Sequence, residues 1–275
     1  MSTVTLYRGK CEDNFKYIPD NSIDLILCDP PYGTTACSWD TVIDFDFMWQ
    51  EIKRVRKDKS AIVLFGSEPF SSALRMSNIK EYKYDWVWVK NRASGHLNAK
   101  IMPLKLQENI SVFGENLINY YPILEEYSDA SKKRFKPNDI WKAPKKKEKD
   151  SVYSDFKQED YTFINENGRC PYNVLFYKTC AIQNKEKIHP TQKPVELIKY
   201  LIKTYSLEGQ TVLDFTMGSG TTGVGCVELN RNFIGIETDY FDVAEKRIRE
   251  AQELKKYGYI NPSEEAVEKI KKSLF

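Results

Sequence analysis

Short, nearly continuous apolar runs recur along the chain and are separated by longer, more polar segments. The runs are rich in Val, Ile, Leu and aromatic residues, which are typical of β-strands. Seven runs are predicted as strands: Thr3–Tyr7, Ile23–Cys28, Ala61–Phe65, Tyr84–Val89, Asn109–Phe113, Thr211–Phe215 and Phe233–Glu237. Because most of them are apolar throughout rather than alternating, they indicate strands buried on both faces, as in a parallel sheet beneath helices.

Helical candidates lie between these strands. Phe45–Arg56 precedes the third strand, Val195–Tyr205 precedes the sixth, and Tyr240–Tyr257 follows the last with its apolar positions at helical spacing. Strands that alternate with helices predict a doubly wound α/β fold with a mostly parallel sheet. A further helix, capped by Asn-Pro-Ser, is predicted within residues 261–275.

The pattern of alternating elements breaks down from about Glu115 to Lys187. This segment is rich in Lys, Tyr, Asn and Pro and has no sustained periodicity, so it predicts an insert that divides the chain into residues 1–114, 115–187 and 188–275. Residues 132–149 hold nine Lys or Arg against two acids, a local charge of +7, whereas the whole chain carries +2. By itself, such a run is more often a solvated face or a linker than a nucleic-acid contact.

Composition narrows the class of protein. With 275 residues, of which 41% are hydrophobic, the chain has room for one large domain that carries an insert. No apolar run approaches the ~20 residues that span a membrane, and the N-terminus lacks a secretion pattern, so we expect a cytoplasmic protein without membrane contact. Six cysteines without a C-x-x-C pair and only two histidines predict reduced structural thiols and no metal site.

A glycine turn follows the sixth predicted strand in TVLDFTMGSGTTGVG, residues 211–225. Gly218, Gly220 and Gly223 fit the spacing G-x-G-x-x-G, and Glu237 lies 19 residues past the first glycine, where an acid that binds ribose hydroxyls is expected. The turn therefore predicts a site for an adenosine-containing cofactor. Taken alone, it favours a dinucleotide. A phosphate loop is excluded because valine and glycine, rather than lysine and serine or threonine, follow the third glycine.

The second predicted strand ends in Asp29-Pro30-Pro31-Tyr32, and ligands of open α/β sheets lie at such carboxyl ends. A rigid turn is the structural alternative, since two prolines restrict the backbone and Gly33 permits an unusual angle. The chemical alternative is activation of an exocyclic base amine, whose lone pair is delocalised into the ring. The Asp29 carboxylate can accept one N–H of that amine and the Pro30 carbonyl the other, while the Tyr32 ring offers a stacking face.

With these motifs, the chain resembles the amino-methyltransferases that modify DNA bases with S-adenosylmethionine. The matching segments are DPPYG (29–33), the stretch from Tyr84 to Phe113, HPTQKP (189–194), LDFTMGSGTTG (213–223) and FIGIE (233–237). The resemblance implies a Rossmann-like methyltransferase sheet. Because the catalytic motif precedes the cofactor motif, the order is that of the β group, whose members usually carry a target-recognition region between the two. Here that region would be the basic insert.

The resemblance also implies residue roles. The target base would be held by Asp29, Pro30, Pro31 and Tyr32. The cofactor pocket would be formed by Asp214, Phe215, Thr216, Gly218, Gly220, Thr221, Glu237, His189, Thr191 and Lys193, with Glu237 on the ribose. Two places depart from the family pattern: Phe215-Thr216 stands where Pro-Phe is frequent, and Gly9-Lys10 stands where Gly-Asp is frequent. Because Lys10 stands where the family often has an acid, Glu12 or Asp13 would have to supply the contact to the adenine amine.

The expected substrate is adenine N6 in double-stranded DNA, because an Asp opening the catalytic motif accompanies adenine in this family and a Ser accompanies cytosine. Cytosine N4, RNA, a protein glutamine amide and a noncatalytic DNA-binding protein are the alternatives. Phosphate contacts are expected from cations near the site or in the insert: Lys90, Arg92, Lys100, Lys132, Lys133 and Arg134. His96 is predicted as an ordinary surface residue, and Trp86 and Trp88 as core. A homodimer is common in the β group, and the sequence identifies neither an interface nor a restriction endonuclease partner.

Overall fold

The computed structural model describes residues 2–34, 40–133, 168–180 and 192–258, together with the backbone of 140–142 and 162–164. The predicted helix within 261–275 lies outside these ranges, as do Arg134, His189 and Thr191. The chain divides into two compact units. The larger unit comprises Met1–Tyr121 with Asn173–Phe275, and the smaller is Pro122–Tyr172.

The described residues contain ten strands and seven α-helices. The strands are β1 (Val4–Arg8), β2 (Ile23–Cys28), β3 (Arg56–Gly66), β4 (Tyr82–Ser94), β5 (Lys105–Phe113), β6 (Ile140–Lys142), β7 (Thr162–Ile164), β8 (Val174–Phe176), β9 (Thr211–Asp214) and β10 (Asn232–Glu237). The helices are α1 (Cys11–Asn14), α2 (Phe45–Val55), α3 (Phe70–Ser77), α4 (Asp129–Lys132), α5 (Val195–Tyr205), α6 (Thr221–Glu228) and α7 (Phe241–Lys256). Two short 3-10 turns, Phe15–Tyr17 and His96–Asn98, complete them.

Eight strands of the larger unit form one sheet in the order β1-β10-β9-β2-β3-β5-β4-β8. Only β5 runs antiparallel to its neighbours, so the prediction of a doubly wound, mostly parallel α/β sheet is confirmed. From β2 the chain proceeds to β3 on one side, and from β9 it proceeds to β10 on the other. The neighbours β2 and β9 therefore form the topological switch point, where ligands of such sheets bind beyond the carboxyl ends of the strands.

Each face of the sheet has its own apolar core. Leu25 and Leu27 of β2 pack into the core beneath α5, α6 and α7, whereas Ile26 and Cys28 pack into the core beneath α1, α2 and α3. Successive residues of a strand point to opposite faces, so a strand covered on both sides must be apolar at every position. This arrangement explains the continuous apolar runs in the sequence.

Several elements differ from the predicted ones. Strand β3 begins at Arg56, five residues before the apolar run, and its first four residues are polar and partly or fully exposed. There the Arg56 guanidinium pairs with Glu81 at 2.7 Å and Glu115 at 3.1 Å. Strand β8 was not predicted, since only its central residue is buried and it lies in the irregular segment.

The smaller unit contains α4, the antiparallel pair of β6 and β7, and a backbone bridge between Glu125 and Arg169 whose side chains also form an ion pair. Its bounds, 122 and 172, fall inside the predicted insert of 115–187. In the part of the chain that the structure describes, no helix is both long and apolar enough to cross a membrane.

Candidate active site

A cavity of about 1400 Å³ lies at the switch point. Its walls come from the loop after β2, the glycine turn after β9, the facing ends of β4 and β5, and the residue pair before α5. The predicted site residues that line it are Asp29, Pro30, Pro31, Tyr32, Lys90, Arg92, Lys193, Asp214, Phe215, Thr216, Gly218, Thr221 and Glu237. The cavity is larger than most single-ligand pockets, so a cofactor and an extruded base can share it.

One buried carboxylate holds the loop after β2. Asp40 Oδ1 accepts the backbone N–H groups of Tyr32 at 2.7 Å and Gly33 at 2.9 Å, and its Oδ2 accepts that of Thr34 at 2.9 Å. Sequence reasoning missed Asp40, although an acid placed just beyond a Pro-Pro-Tyr-Gly turn is a usable signal. Three backbone N–H groups that donate to a single side chain preorganise the turn that presents Asp29.

Both oxygens of Asp29 receive a hydrogen bond. The Tyr32 hydroxyl donates to Oδ1 at 2.5 Å, and the Lys193 ammonium donates to Oδ2 at 2.5 Å. Lys193 also lies 3.4 Å from Glu108, which accepts a hydrogen bond from Lys90 at 3.0 Å. Positive and negative groups thus alternate along one wall of the cavity. Lys193, predicted to close the cofactor pocket, lines this cavity and contacts the Asp29 carboxylate.

Burial dominates the electrostatics of this network. It raises the pKa of Asp29 above its ordinary value, although Lys193 acts in the opposite direction. Burial also disfavours the charged form of Lys193, but the charges of Asp29 and Glu108 outweigh it and raise the pKa of the ammonium to about 12. Burial, reinforced by the charge of Asp29, raises the pKa of Tyr32, which keeps its hydroxyl a donor.

Aromatic rings complete the surroundings of Asp29. The Tyr32 ring stacks on Phe70 with a centroid distance of 5.1 Å, and the Lys193 ammonium lies 5.1 Å from the centroid of Phe65. Since its hydroxyl is bound to Asp29 as well, the Tyr32 ring is fixed in orientation. The Asp29–Lys193 ion pair therefore lies against aromatic rings.

The glycine turn is anchored by Glu237. One carboxylate oxygen accepts the Gly218 N–H at 2.8 Å, and the other accepts the Asp239 N–H at 3.0 Å. The oxygen bound to Asp239 also accepts the Tyr240 N–H at 3.3 Å, whereas the oxygen bound to Gly218 retains a lone pair, so the predicted ribose contact is compatible with this geometry. Gly218 has φ +51°, and an added Cβ would meet no protein atom within 4 Å, because that position faces the cavity.

Gly220 has a different role within the same turn. Its φ is +76°, and an added Cβ would lie 3.0 Å from Ala244 of α7. This glycine permits α6 to begin in close contact with α7, and it is not among the described residues that line the cavity. The two predicted glycines therefore have different surroundings: Gly218 faces the cavity, and Gly220 lies at the contact between α6 and α7.

Thr216 connects the two motifs. Its hydroxyl donates to the backbone carbonyl of Asp29 at 3.1 Å, and its N–H donates to Asp214 at 3.2 Å. Asp214 is almost fully buried, and this burial is the main cause that raises its pKa to about 7. The neighbouring Phe215 ring is buried in the core, 5.5 Å from that of Phe15. The Thr216 departure from the family pattern thus joins the cofactor turn to the catalytic loop.

Near α1, the structure distinguishes the two proposed substitutes for the missing acid. Glu12 lines the cavity together with Gly9 and Lys10, whereas Asp13 is not among the described lining residues. Glu12 also accepts a weak hydrogen bond from the Cys11 thiol at 3.3 Å. Among the described residues, no group of three or more His, Cys, Asp or Glu side chains could hold a metal ion.

The predicted DNA-contacting cations occupy different environments. Lys90 is buried against Glu108, so the structure does not favour a phosphate contact there. Arg92 and Lys100 are exposed on the hairpin between β4 and β5. In the smaller unit, Lys132 pairs with Glu126 at 3.1 Å and Lys133 is exposed. His96 is exposed, and Trp86 and Trp88 are buried in the core, as predicted.

Comparison with known proteins adds three kinds of finding. The profile of a family described as DNA methylase (N6_N4_Mtase) matches residues 23–252. The type II methyltransferase M.HinfI of Haemophilus influenzae is 29% identical over 277 residues, which cover 90% of this chain and 68% of that protein. The type II methyltransferase M2.MboI of Moraxella bovis is 25% identical over 267 residues, covering 89% and 87%.

Two solved structures share the fold. A crystal structure of the M1.HpyAVI–SAM complex superposes with a TM-score of 0.58 at 22% identity and covers 90% of this chain and 99% of that one. The cytosine-N4-specific PvuII DNA methyltransferase superposes with a TM-score of 0.60 at 14% identity, covering 92% and 93%. At these identities, the likeness shows the architecture of the sheet and its helices.

Proposed function

The chain belongs to the DNA methylase family of S-adenosylmethionine-dependent DNA amino-methyltransferases, and we propose that within it the chain methylates N6 of adenine at a specific sequence in duplex DNA. The observation that carries the choice of adenine is Asp29, an ionisable acceptor at the opening position of the catalytic motif. In this family, an Asp at that position accompanies adenine. The acid stands within hydrogen-bond reach of two fixed donors and faces the cavity.

The chemistry follows from the arrangement of acceptors. An exocyclic amine is planar because its lone pair is delocalised, and it attacks an electrophile poorly in that form. Asp29 retains lone pairs beside the bonds from Tyr32 and Lys193, so it can accept one N–H while the Pro30 carbonyl accepts the other. The two acceptors direct the nitrogen lone pair out of the ring plane. Because Asp40 and the prolines fix the loop, the alignment exists before the base arrives.

The cofactor residues fit an adenosine-containing methyl donor. When bound, S-adenosylmethionine supplies a methyl group already activated by its positively charged sulfur. Glu237 would bind the ribose, and the open side of Gly218 would let the ligand approach the backbone. Asp214 sits behind this turn, and Thr216 holds the turn against the Asp29 loop. The chain therefore keeps the methyl donor and the target amine side by side.

Site specificity is proposed to come from the segment between the two motifs. We assign residues 115–187 as the target-recognition region, and 1–114 with 188–275 as the two halves of the catalytic domain. The nine cations within 132–149 would supply a sequence-independent attraction to phosphates. Since the relatives named above are type II methyltransferases, a role beside a restriction endonuclease is part of the proposal.

The test uses purified protein, isotope-labelled S-adenosylmethionine and unmethylated duplex DNA, followed by digestion to nucleosides and mass spectrometry. Labelled N6-methyladenine is the expected product. Labelled N4-methylcytosine would retain the mechanism and overturn the choice of base. Label in neither nucleoside, with label appearing in structured RNA or a protein amide instead, would overturn the substrate class. Asp29→Ala serves as the control, and we expect it to bind the cofactor without transferring the methyl group.

A further inference from the structure

The hairpin between β4 and β5 exposes an unusual number of large apolar side chains. Their exposed fractions are 100% for Leu97, 79% for Ile101, 54% for Met102, 40% for Leu104 and 45% for Leu106. Exposed apolar side chains that cluster in one short segment, rather than lying scattered, mark interaction sites. The core of the larger unit uses none of these five residues.

The charged residues of the hairpin indicate which kind of partner would bind its exposed apolar side chains. From Lys90 to Gln107 the sequence contains Lys90, Arg92, Lys100 and Lys105 and no acidic residue. Arg92 and Lys100 are exposed beside the apolar side chains. The five exposed apolar residues form the apolar tip of the hairpin: Leu97, Ile101, Met102, Leu104 and Leu106. A surface with cations around such a tip complements a polyanion that has an apolar interior. A DNA duplex is such a polyanion, because its phosphates lie outside and its stacked bases inside.

The hairpin is continuous with the catalytic cavity. Arg92, Ser94, Gly95 and His96 line the same cavity as Asp29. A base held at Asp29 would have left its duplex, and the vacated position in the stack must lie close to the mouth of the cavity. The apolar tip extends from that mouth.

Local geometry holds the tip in shape. Pairing between β4 and β5 shifts register between Val89 and Ser94, and Gly95 with φ +90° then opens the 3-10 turn His96–Asn98. The N–H groups of Ile101 and Met102 both donate to the Asn98 carbonyl, at 2.9 and 3.0 Å. These backbone bonds order the tip without burying its side chains.

We infer that this hairpin enters the duplex when the target base is extruded. Leu97 and Ile101 fill the gap in the base stack, and Arg92 and Lys100 bind the flanking phosphates. Leucine, isoleucine and methionine are the side chains that proteins insert between base steps. The inference rests on the proposed function, because it requires a duplex DNA substrate whose target base leaves the stack.

The experiment compares the double variant Leu97→Ala/Ile101→Ala with Met76→Ala, which removes a side chain that is 70% exposed on α3, outside the cavity wall. The recognition sequence is first read from DNA methylated by the wild-type enzyme. Two readouts follow: the fluorescence of 2-aminopurine at the target position, and the methylation rate on duplexes with either a paired target or an abasic site opposite it. Cofactor binding and thermal melting confirm that each variant is folded.

We expect the double variant to lower the 2-aminopurine signal and to slow methylation of the paired duplex by about tenfold or more. The duplex with the abasic site should restore its rate, because that target is already unpaired. Arg92→Ala/Lys100→Ala should weaken DNA binding and reduce the salt dependence by about two phosphate contacts. Met76→Ala should behave as wild type.

Equal rates and equal fluorescence in the double variant and the wild type would overturn the inference. So would slow methylation that the abasic duplex does not restore, because the defect would then lie outside base extrusion. A change in oligomeric state would instead assign the apolar tip to a second copy of the chain. The proposed function fails by a separate result, namely absence of methylated base with the wild-type enzyme.

Discussion

The Lys193 ammonium lies 2.5 Å from Oδ2 of Asp29, a residue 164 positions earlier in the chain. Both groups are largely removed from water, and Lys193 is also within 3.4 Å of Glu108. Removing one partner of such a pair leaves the other charge buried without compensation. The ion pair therefore sets the protonation state of the acceptor on which the proposed chemistry depends.

Lys193→Met should move the acid limb of the pH–rate profile to higher pH. Burial already raises the pKa of Asp29, with Glu108 raising it further, and Lys193 is the main group that opposes the rise. In the proposed mechanism the carboxylate form of Asp29 binds the target amine, so activity should be lost as pH falls through this raised pKa. Without Lys193 the loss begins at a higher pH. We would measure kcat with saturating DNA and cofactor from about pH 5 to about pH 9.

Lys193→Arg is the matched control for that experiment. It keeps the positive charge, so its acid limb should stay close to that of the wild type even if its kcat is lower. Superimposable profiles for the Met variant and the wild type, both folded and cofactor-binding, would show that Lys193 does not control Asp29. Against the effect of burial, Lys193 also holds down the pKa of Glu108, so the acid limb of the Met variant contains the titration of Glu108 as well, while Lys90 remains a partner of Glu108 in every variant.

Asp214→Asn should change how the stability of the cofactor-free protein depends on pH. Burial raises the folded pKa of Asp214 to about 7, above its ordinary value, so folding favours the protonated acid. That contribution is complete below the unfolded pKa and is lost as pH rises through about 7. An amide does not titrate. The Tm of the variant minus that of the wild type should therefore increase from about pH 5 to about pH 8, and parallel Tm curves would contradict the assignment.

Asp40→Ala should reduce methyl transfer while leaving cofactor affinity unchanged. It removes the acceptor for three backbone N–H groups of the catalytic loop, and each unsatisfied buried donor costs about 1–3 kcal/mol. The loop should relax by solvating these groups, and kcat should fall by about tenfold or more. Asp44→Ala is the control, since Asp44 caps α2 through Phe47 N–H at 2.8 Å. Loss of that cap costs about 1 kcal/mol of stability and should spare kcat. Equal kcat values for the two variants would contradict the role of Asp40.

Gly218→Ala and Gly220→Ala should produce separate defects. Both residues have positive φ, so each alanine costs about 1–2 kcal/mol of backbone strain. At position 220 the new methyl also lies 3.0 Å from Ala244, and Tm should fall further. At position 218 the methyl projects into the cavity, so cofactor affinity should be lost with a smaller change in Tm. Calorimetric titration and thermal melts distinguish them, and a reversed order of Tm values would contradict the structural assignment.

Sequence reasoning predicted the elements whose own residues carry a clear apolar pattern. Strand β2 and helix α5 have the predicted bounds, Ile23–Cys28 and Val195–Tyr205, because their apolar patterns depend only on their own residues. The first half of β3 and the whole of β8 were missed. Their place in the sheet depends on neighbouring strands, which local patterns do not encode.

In the candidate site, too, the features that follow from local sequence were predicted, and those that depend on distant segments were not. Asp29 and Gly218 were each predicted to contribute to a ligand site after a strand, and the structure places both in one cavity. The partnership of Lys193 with Asp29 and the support from Asp40 and Glu108 were not predicted. These contacts arise from packing between segments that are far apart in the chain, so no spacing rule identifies them. The functional roles of the predicted residues stay predictions until the variants are measured.

Strands β2 and β9 pair in the middle of the sheet, at Leu25 with Val212 and Ile26 with Leu213. Pairing of these two strands closes a very long loop of the chain. The entropic cost of closing a loop grows only with the logarithm of its length, by about 0.6 kcal/mol of free energy for each doubling. Within this loop, the segment between β5 and β8 that forms the smaller unit can therefore lengthen or shorten at little thermodynamic cost to the sheet. In the proposed function residues 115–187 recognise the target sequence, so changes in this segment would alter the sequence preference, while the residues after β2 and β9 would continue to hold the base and the cofactor.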